Sequence, residues 1–211
     1  MLDVFSTFST TKADIQYFYE DSTWVKPRGV SHVYMMLIGG GGNGTGTTGG
    51  GSGAVTRWFG NASIIPDNLV IHPSNGNADN TTVSYLGSSL VTLLTANAAT
   101  TNTAGTASTN THFGTQGFFQ STAGQAGTTG NPTASTTTFL GGGGASNTSA
   151  AANYGYLATP ASGSFFITQP IIVGCGASVT TGTAKNGAIG CGGSGSASSL
   201  GGSGLVIIGS W

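Results

Sequence analysis

Charged side chains are scarce in this sequence. Only 5% of the 211 residues are Asp, Glu, Lys or Arg, and the formal net charge is -1. Most of the five basic and six acidic residues precede residue 29, and none lies between positions 80 and 184. Nucleic acid binding needs a basic patch, and surface helices usually carry ion pairs one turn apart. The composition therefore excludes a nucleic-acid-binding role and a mainly helical fold.

Cysteine and long apolar runs are also scarce. The two cysteines, Cys175 and Cys191, each stand between two glycines. Two thiols cannot complete a zinc site, so we expect buried or loop thiols, with a disulfide as the alternative. No stretch approaches the roughly 18 apolar residues of a membrane span, and no signal-peptide pattern opens the sequence. We therefore expect no membrane insertion.

Glycine, in contrast, is abundant, with 38 residues. Gly, Ser, Thr and Asn form helices poorly, and the runs between them alternate or are continuously apolar, as is typical of strands. We predict strands over residues 30–38, 54–59, 68–72, 81–86, 89–95, 136–140, 164–168, 170–173 and 204–208. Short strands with glycine-rich connections indicate an all-β fold: a β-sandwich, a jelly roll or a barrel.

The glycine runs have two physical interpretations. They are long turn-forming loops, or they are extended polyglycine segments in the polyproline-II geometry that stack through backbone hydrogen bonds. Each ordered glycine costs roughly 0.5–1 kcal/mol relative to alanine, so a stack must recover that cost through packing. The sequence leaves both interpretations open.

The beginning of the sequence differs in composition from the rest. Residues 1–22 are aromatic and charged, and we expect an arm or anchoring segment there, as a short strand or with a helical turn over 12–20. Such an arm packs on a neighbouring subunit or on its own domain. Residues 23–211 are expected to form one glycine-rich β domain. Within it, residues 96–135 are a low-complexity tract.

Few residues are suited to catalysis. Gly39, Gly41 and Gly44 match the dinucleotide-binding fingerprint, but the Gly- and Thr-rich residues that follow cannot form the helix that this motif requires. A hydrolase triad with Asp67 and His72, or a glycosidase pair of Asp67 and Asp79, has no support in the spacing. We therefore expect no catalytic residues, no metal and no cofactor.

Three glycine-rich stretches follow one another in a set order. The first comprises Trp24, Pro27, Gly29 and the strand that ends in Leu37-Ile38-Gly39-Gly40-Gly41-Gly42. The second is Gly49-Gly50-Gly51-Ser52-Gly53-Ala54, and the third is Gly201-Gly202-Ser203-Gly204-Leu205-Val206-Ile207-Ile208, followed by Trp211. In this order they resemble the glycine-rich domains at the ends of bacteriophage tail-fibre and other virion surface proteins. The resemblance implies an oligomeric, β-sandwich-like virion domain near the host-contacting end, without shared catalytic residues.

These features predict a non-enzymatic structural protein of a virus particle, assembled in the host cytoplasm. Its expected place is the virion surface, as a tail-fibre tip, spike or decoration protein of a bacteriophage with a host-attachment role. Aromatic rings on polar loops suit contact with a glycan or a protein, because a ring adds contact area at low entropy cost. The candidate receptor-binding residues, for which core packing is the alternative, are Phe113, Phe118, Phe119, Tyr154 and Tyr156.

The expected partners follow from the same resemblance. They are further copies of the chain, as a trimer before a pentamer, and other virion proteins bound through residues 1–22. A host-surface glycan or protein is the third. Two alternatives remain: a purely structural minor capsid or assembly protein without receptor binding, and, less favoured, a glycan-acting enzyme that uses Asp67 and Asp79.

Overall fold

The fold is built from short antiparallel strands. The computed structural model describes residues 13–109, 112–113, 115–127, 186–195 and 198–211, which contain nine strands and one 3-10 turn, Ala62–Ile64. The strands are β1 (Asp14–Phe18), β2 (Ser22–Val25), β3 (His32–Ile38), β4 (Val55–Asn61), β5 (Asn68–His72), β6 (Thr81–Leu86), β7 (Leu90–Ala96), β8 (Phe118–Thr122) and β9 (Leu205–Ser210). The predicted all-β class is confirmed.

The strands form two antiparallel sheets, consistent with a β-sandwich. One sheet has five strands in the order β1-β9-β3-β4-β8, and the other has four strands in the order β2-β5-β6-β7. β3 is central in the larger sheet, where it pairs along its whole length with β4 and from Val33 onwards with β9. In the smaller sheet, the β6–β7 ladder shifts register between Val83 and Ser84.

Alternate side chains of the strands fill the space between the sheets. On β3, Val33, Met35 and Leu37 point into this core and are fully buried. Trp24 of the four-stranded sheet and Trp58 of the five-stranded sheet are the largest of the fully buried side chains. Because each large apolar side chain contributes about 1.5–3 kcal/mol on burial, this core is the main source of stability for the sandwich.

The glycine runs lie side by side beyond the ends of the strands. We term this region the glycine stack and number its six segments in chain order: first 39–44, second 49–54, third 97–105, fourth 123–127, fifth 186–193 and sixth 199–204. Backbone hydrogen bonds of 2.8–3.0 Å join each segment to at least two others, and the first and second segments are each joined to four. A strand in a sheet has at most two neighbours, so the stack is not a sheet.

The hydrogen bonds of the first segment repeat every three residues. The N–H groups of Gly39 and Gly42 donate to the second segment, and those of Gly41 and Gly44 donate to the sixth. A β-strand directs its groups with a period of two, whereas the polyproline-II helix has three residues per turn. A period of three is the one that side-by-side segments in the polyproline-II geometry would give.

The second segment shows the same period. Its Gly50 and Gly53 donate to the fifth segment, and its Gly51 and Ala54 donate to the third. The N–H of Ser52, which lies between these two pairs of donors, points in a third direction and donates to the fourth segment, at 2.8 Å. Buried backbone groups in this region are thus paired without a sheet ladder.

Close packing explains why these positions are glycine. A Cβ built on Gly41 would overlap the Cys191 carbonyl, and one built on Gly202 would overlap the carbonyl groups of Gly187 and Ala188. The obstructing atoms are backbone and cannot rotate aside. Any side chain at these positions would have to push the segments apart.

The stack also packs against the outer face of the five-stranded sheet. A second buried cluster there comprises Met36, Ile38, Val55, Cys191, Leu205 and Ile207, with Ala188 and Ile189 partly buried against it. The strands therefore have apolar side chains on both faces, which explains the continuous apolar run at the end of β3. The stack and the larger sheet are held together by this cluster.

Six predicted strands correspond to β3, β4, β5, β6, β7 and β9, with ends that differ by no more than a few residues. The strand alternative is right for the described part of the arm: residues 14–18 form β1, not a helical turn, and pair with β9 of the same chain. Two strands were not predicted, β2 and β8. The predicted strands at 136–140, 164–168 and 170–173 lie outside the described residues.

Candidate functional site: an aromatic surface on the five-stranded sheet

Part of the outer face of the larger sheet carries a row of rings. Residues directly opposite in the ladder share a face, and Tyr34 of β3 pairs with Phe59 of β4, which pairs with Phe118 of β8. His32 points the same way because it lies two residues before Tyr34. Trp211 follows β9 and exchanges backbone hydrogen bonds with His32, at 2.9 and 3.1 Å. We term these five residues the aromatic surface.

Three rings of the aromatic surface form a close cluster. The ring centroids of His32, Phe59 and Trp211 are 5.6, 5.7 and 6.1 Å apart, and their planes lie within 20° of parallel. Gly209 lies next to them, and a Cβ there would meet the Trp211 ring and Tyr34 only at ordinary contact distances of 3.8 and 3.9 Å. Ring packing of this kind fixes the side chains in place before any ligand arrives.

One cation borders the rings. Arg57 lies two residues before Phe59 on β4 and therefore on the same outer face. Burial lowers the pKa of Arg57 and raises the pKa of the Tyr34 phenol, and the attraction between the two groups opposes both shifts. Tyr34 thus stays neutral at physiological pH, and the surface combines apolar rings, a phenol and a guanidinium.

The aromatic surface is open at its edges. Phe118 is 59% exposed, and on the opposite edge strand the outward side chains of Ile15 and Tyr17 are also exposed. Ile15 pairs with Gly209, which places it beside the ring cluster.

Among the predicted receptor-binding residues that the structure describes, only Phe118 belongs to this surface. Phe113 is 5% exposed and stacks on the Trp58 ring at 4.5 Å, so it is part of the core. Phe119 pairs with Trp58 and packs on the same core, whereas Phe118 faces outward because side chains alternate along β8. Tyr154 and Tyr156 lie outside the described residues.

The other members of the surface were missed in the sequence. His32, Tyr34 and Phe59 alternate with core residues on two predicted strands, so a signal was present in the outward positions of β3 and β4. Trp211 joins them only because β9 pairs with β3. That pairing joins residues from opposite ends of the chain and could not be read from local pattern.

The residues considered for catalysis are engaged elsewhere. Asp67 forms an ion pair with Lys26 at 2.8 Å, and His72 contacts Asp21 and Asp79 instead of Asp67. Gly39, Gly41 and Gly44 belong to the first segment of the glycine stack, and the residues after them lead into the second segment.

The favoured expectation of a free thiol was wrong for Cys191. This residue is fully buried within the stack and is disulfide-bonded. The other cysteine of the sequence, Cys175, lies outside the described residues. Cys191 lies in the fifth segment at the point where that segment packs on the larger sheet.

No protein-family model matches the chain, and no curated protein is significantly similar to it. Within the part of the chain that the structure describes, no helix has the length and apolar character needed to cross a membrane.

Proposed function

We propose that this chain is a non-enzymatic structural protein of a virus particle, exposed on the virion surface, where it attaches the particle to its host. The observation that carries the proposal is the aromatic surface, which brings Phe118 together with His32, Tyr34, Phe59 and Trp211 on one sheet face. These rings stand on paired strands, so binding would order few side chains and cost little entropy.

The chemistry of the surface suits a glycan or a protein loop as ligand. Rings contact the C–H faces of sugars or apolar side chains, while the Tyr34 hydroxyl and the Arg57 guanidinium supply polar groups beside them. The chain is nearly uncharged, so such binding would depend little on ionic strength.

The place on the particle is proposed from the resemblance to virion glycine-rich domains. A bacteriophage tail-fibre tip, spike or decoration protein would combine a rigid domain with repeated copies around an axis. Edge strands β1 and β8 are at the margins of the larger sheet and suit contact with further copies, as a trimer before a pentamer. Residues 1–22 are proposed to bind other virion proteins.

Cell binding by the purified chain tests the attachment role. Fluorescently labelled protein should bind host cells and compete with infection, and Phe118→Ala should reduce the binding at least about tenfold, as for an aromatic residue that anchors a binding surface. Leu86→Ala is the matched control, because Leu86 is 75% exposed on the other sheet and its loss should leave binding unchanged.

Three results would count against this assignment. Equal binding by Phe118→Ala and the control would remove the aromatic surface from attachment. No binding at all, together with assembly into a regular lattice, would favour a purely structural minor capsid or assembly protein. Gold-labelled antibodies against the chain should mark the surface of intact particles, and label confined to host-cell material would overturn the virion assignment.

A further inference from the structure

His72 lies between two carboxylates from different parts of the chain. At the end of β5, its Nδ1 lies 2.6 Å from an oxygen of Asp21, and its Nε2 lies 3.2 Å from an oxygen of Asp79. Asp21 precedes β2, and Asp79 lies in the connection between β5 and β6. The acids lie on opposite sides of the imidazole, and the described residues contain no group of three that could hold a metal ion.

The protonation state of His72 decides whether both contacts are hydrogen bonds. A carboxylate only accepts, and a neutral imidazole has one N–H, whereas the imidazolium donates from both ring nitrogens. The bridge from Asp21 to Asp79 is therefore complete only when His72 is charged. These two carboxylates are the charged groups that act on the imidazole, and Thr82, its partner across the β5–β6 ladder, is neutral.

One end of this bridge belongs to a loop that attaches the glycine stack to the sandwich. We term residues 73–80 the clasp loop. Asn77 Oδ1 accepts from the backbone N–H groups of Asn43 and Thr101, in the first and third segments, at 3.2 and 2.7 Å. The Ser74 carbonyl accepts from Gly204 of the sixth segment at 2.8 Å. Three segments of the stack are thus bonded to one loop.

Asp79 helps to hold the clasp loop in shape. Its second carboxylate oxygen accepts from the Asn75 backbone N–H at 2.7 Å, and its own N–H donates to the Gly76 carbonyl at 3.0 Å. Ala78 has a φ of 63°, which is unfavourable for a residue with a Cβ. The loop conformation therefore depends on the bonds around Asp79.

We propose that charged His72 is a pH-dependent pin that fixes the clasp loop, and through it the glycine stack, to the turn before β2. When His72 loses its proton, the imidazole keeps one N–H and one end of the bridge is released. The clasp loop and the first, third and sixth segments then open more often, while the core between the sheets stays folded.

The direction of the response follows from the pKa values. Burial disfavours the charged form of His72, but the hydrogen bonds and charges of Asp79 and Asp21 outweigh it and raise the pKa of the imidazole. A raised folded-state pKa stabilises the fold fully below the unfolded value of about 6.5, and this contribution is lost as the pH rises through the folded value.

His72 sets the upper limit of the pH range in which the bridge is complete, and Asp79 sets the lower limit. Burial disfavours its ionisation, but the Asn75 N–H and the charged His72 lower the pKa of the carboxyl. Its contribution is complete above the unfolded value of about 3.9 and is lost as the pH falls through the folded value. The pin is therefore strongest between these two limits and weakens as the pH rises through the raised pKa of His72.

Hydrogen exchange on the intact chain tests the pin. The backbone N–H groups of Ala78, Ala98 and Thr101 report on the bonds between the clasp loop and the third segment, because they donate to the Ala99 carbonyl, Asn80 Oδ1 and Asn77 Oδ1. Their exchange rates, corrected for the intrinsic pH dependence, should rise several-fold between about pH 5.5 and about pH 8.5, on either side of the ordinary histidine range. The N–H groups in the centre of β3 should not change. In His72→Gln the same three sites should exchange fast at both pH values.

Two further variants keep the test decisive. Asp21→Asn leaves the Asp79 contacts in place, and it should make the clasp loop exchange faster in acid and reduce its pH dependence even if His72→Gln does not fold. His112→Gln is the matched control, because within the part of the chain that the structure describes His112 contacts the Tyr85 and Phe113 rings and forms no ion pair, and it should respond as the wild type does. A wild-type clasp loop with no pH dependence beyond that of Asp21→Asn would overturn the proposal.

Discussion

The β-sandwich and the glycine stack of this chain bury their backbones in different ways. In the sandwich, ladder hydrogen bonds pair the strands, and side chains such as Leu69 and Trp58 fill the space between the sheets. In the stack, segments approach so closely that only hydrogen atoms fit at Gly41 and Gly202. The sandwich is thus specified by side chains, and the stack by their absence.

The two regions are continuous along the chain. β3 runs directly into the first segment after Ile38, and the second and sixth segments run directly into β4 and β9. Where β3 and β4 meet the first and second segments, the hydrogen-bonding period changes between two and three. The change coincides with the first or last glycine of each run, so the sequence marks the border between the two kinds of structure.

The largest loss of stability is expected when a methyl group is added to a glycine of the stack. Gly202→Ala should destabilise the chain by at least about 4 kcal/mol, because the new Cβ meets backbone that cannot move without separating segments. Urea unfolding followed by tryptophan fluorescence measures this change. Gly87→Ala is the control, since its Cβ would have ordinary contacts at 3.5 and 3.6 Å. Equal stabilities for the two variants would show that the stack is not tightly packed.

The core of the sandwich should tolerate a change in side-chain shape better than the glycine stack does. Leu69→Ala leaves a cavity in the core and should cost about 2–5 kcal/mol, whereas Leu69→Met keeps the volume and should cost less than about 1.5 kcal/mol. Leu86→Ala, at an exposed position, should change the unfolding free energy by no more than about 0.5 kcal/mol. If Leu69→Met were as damaging as Leu69→Ala, the contrast in tolerance between the sandwich and the stack would be lost.

The same contrast explains how much of the fold could be predicted. β3 and β9 are apolar runs that end at glycine, and these local signals place the strands well. β8 has the sequence FFQST within a low-complexity tract, and it is a strand because β4 offers an edge to pair with. The three-residue period of the stack depends on six segments meeting, which no local pattern contains.

The candidate site was predictable only in part. Phe118, one of the candidate receptor-binding residues, is exposed, whereas its neighbour Phe119 faces the core, because a shift of one residue along a strand reverses the face that a side chain points to. The ring cluster could be predicted only by knowing which strands are adjacent, because Trp211 and His32 lie at opposite ends of the chain. Composition alone cannot give that adjacency.

The smallest loss of stability is expected when a charge is removed from the surface. Lys26 pairs with Asp67, but Asp67 is 80% exposed, so Asp67→Asn should cost at most about 1 kcal/mol and less at high salt. Lys26→Met should cost more, about 1–3 kcal/mol, because Nζ also donates to the carbonyls of Ile65 and Ala62 at 2.7 and 3.2 Å. Thermal unfolding at two salt concentrations separates the two contributions. If Asp67→Asn lost more unfolding free energy than Lys26→Met, the ion pair itself would stabilise the fold. That result would contradict the view that both regions of the chain depend on packing and backbone hydrogen bonds.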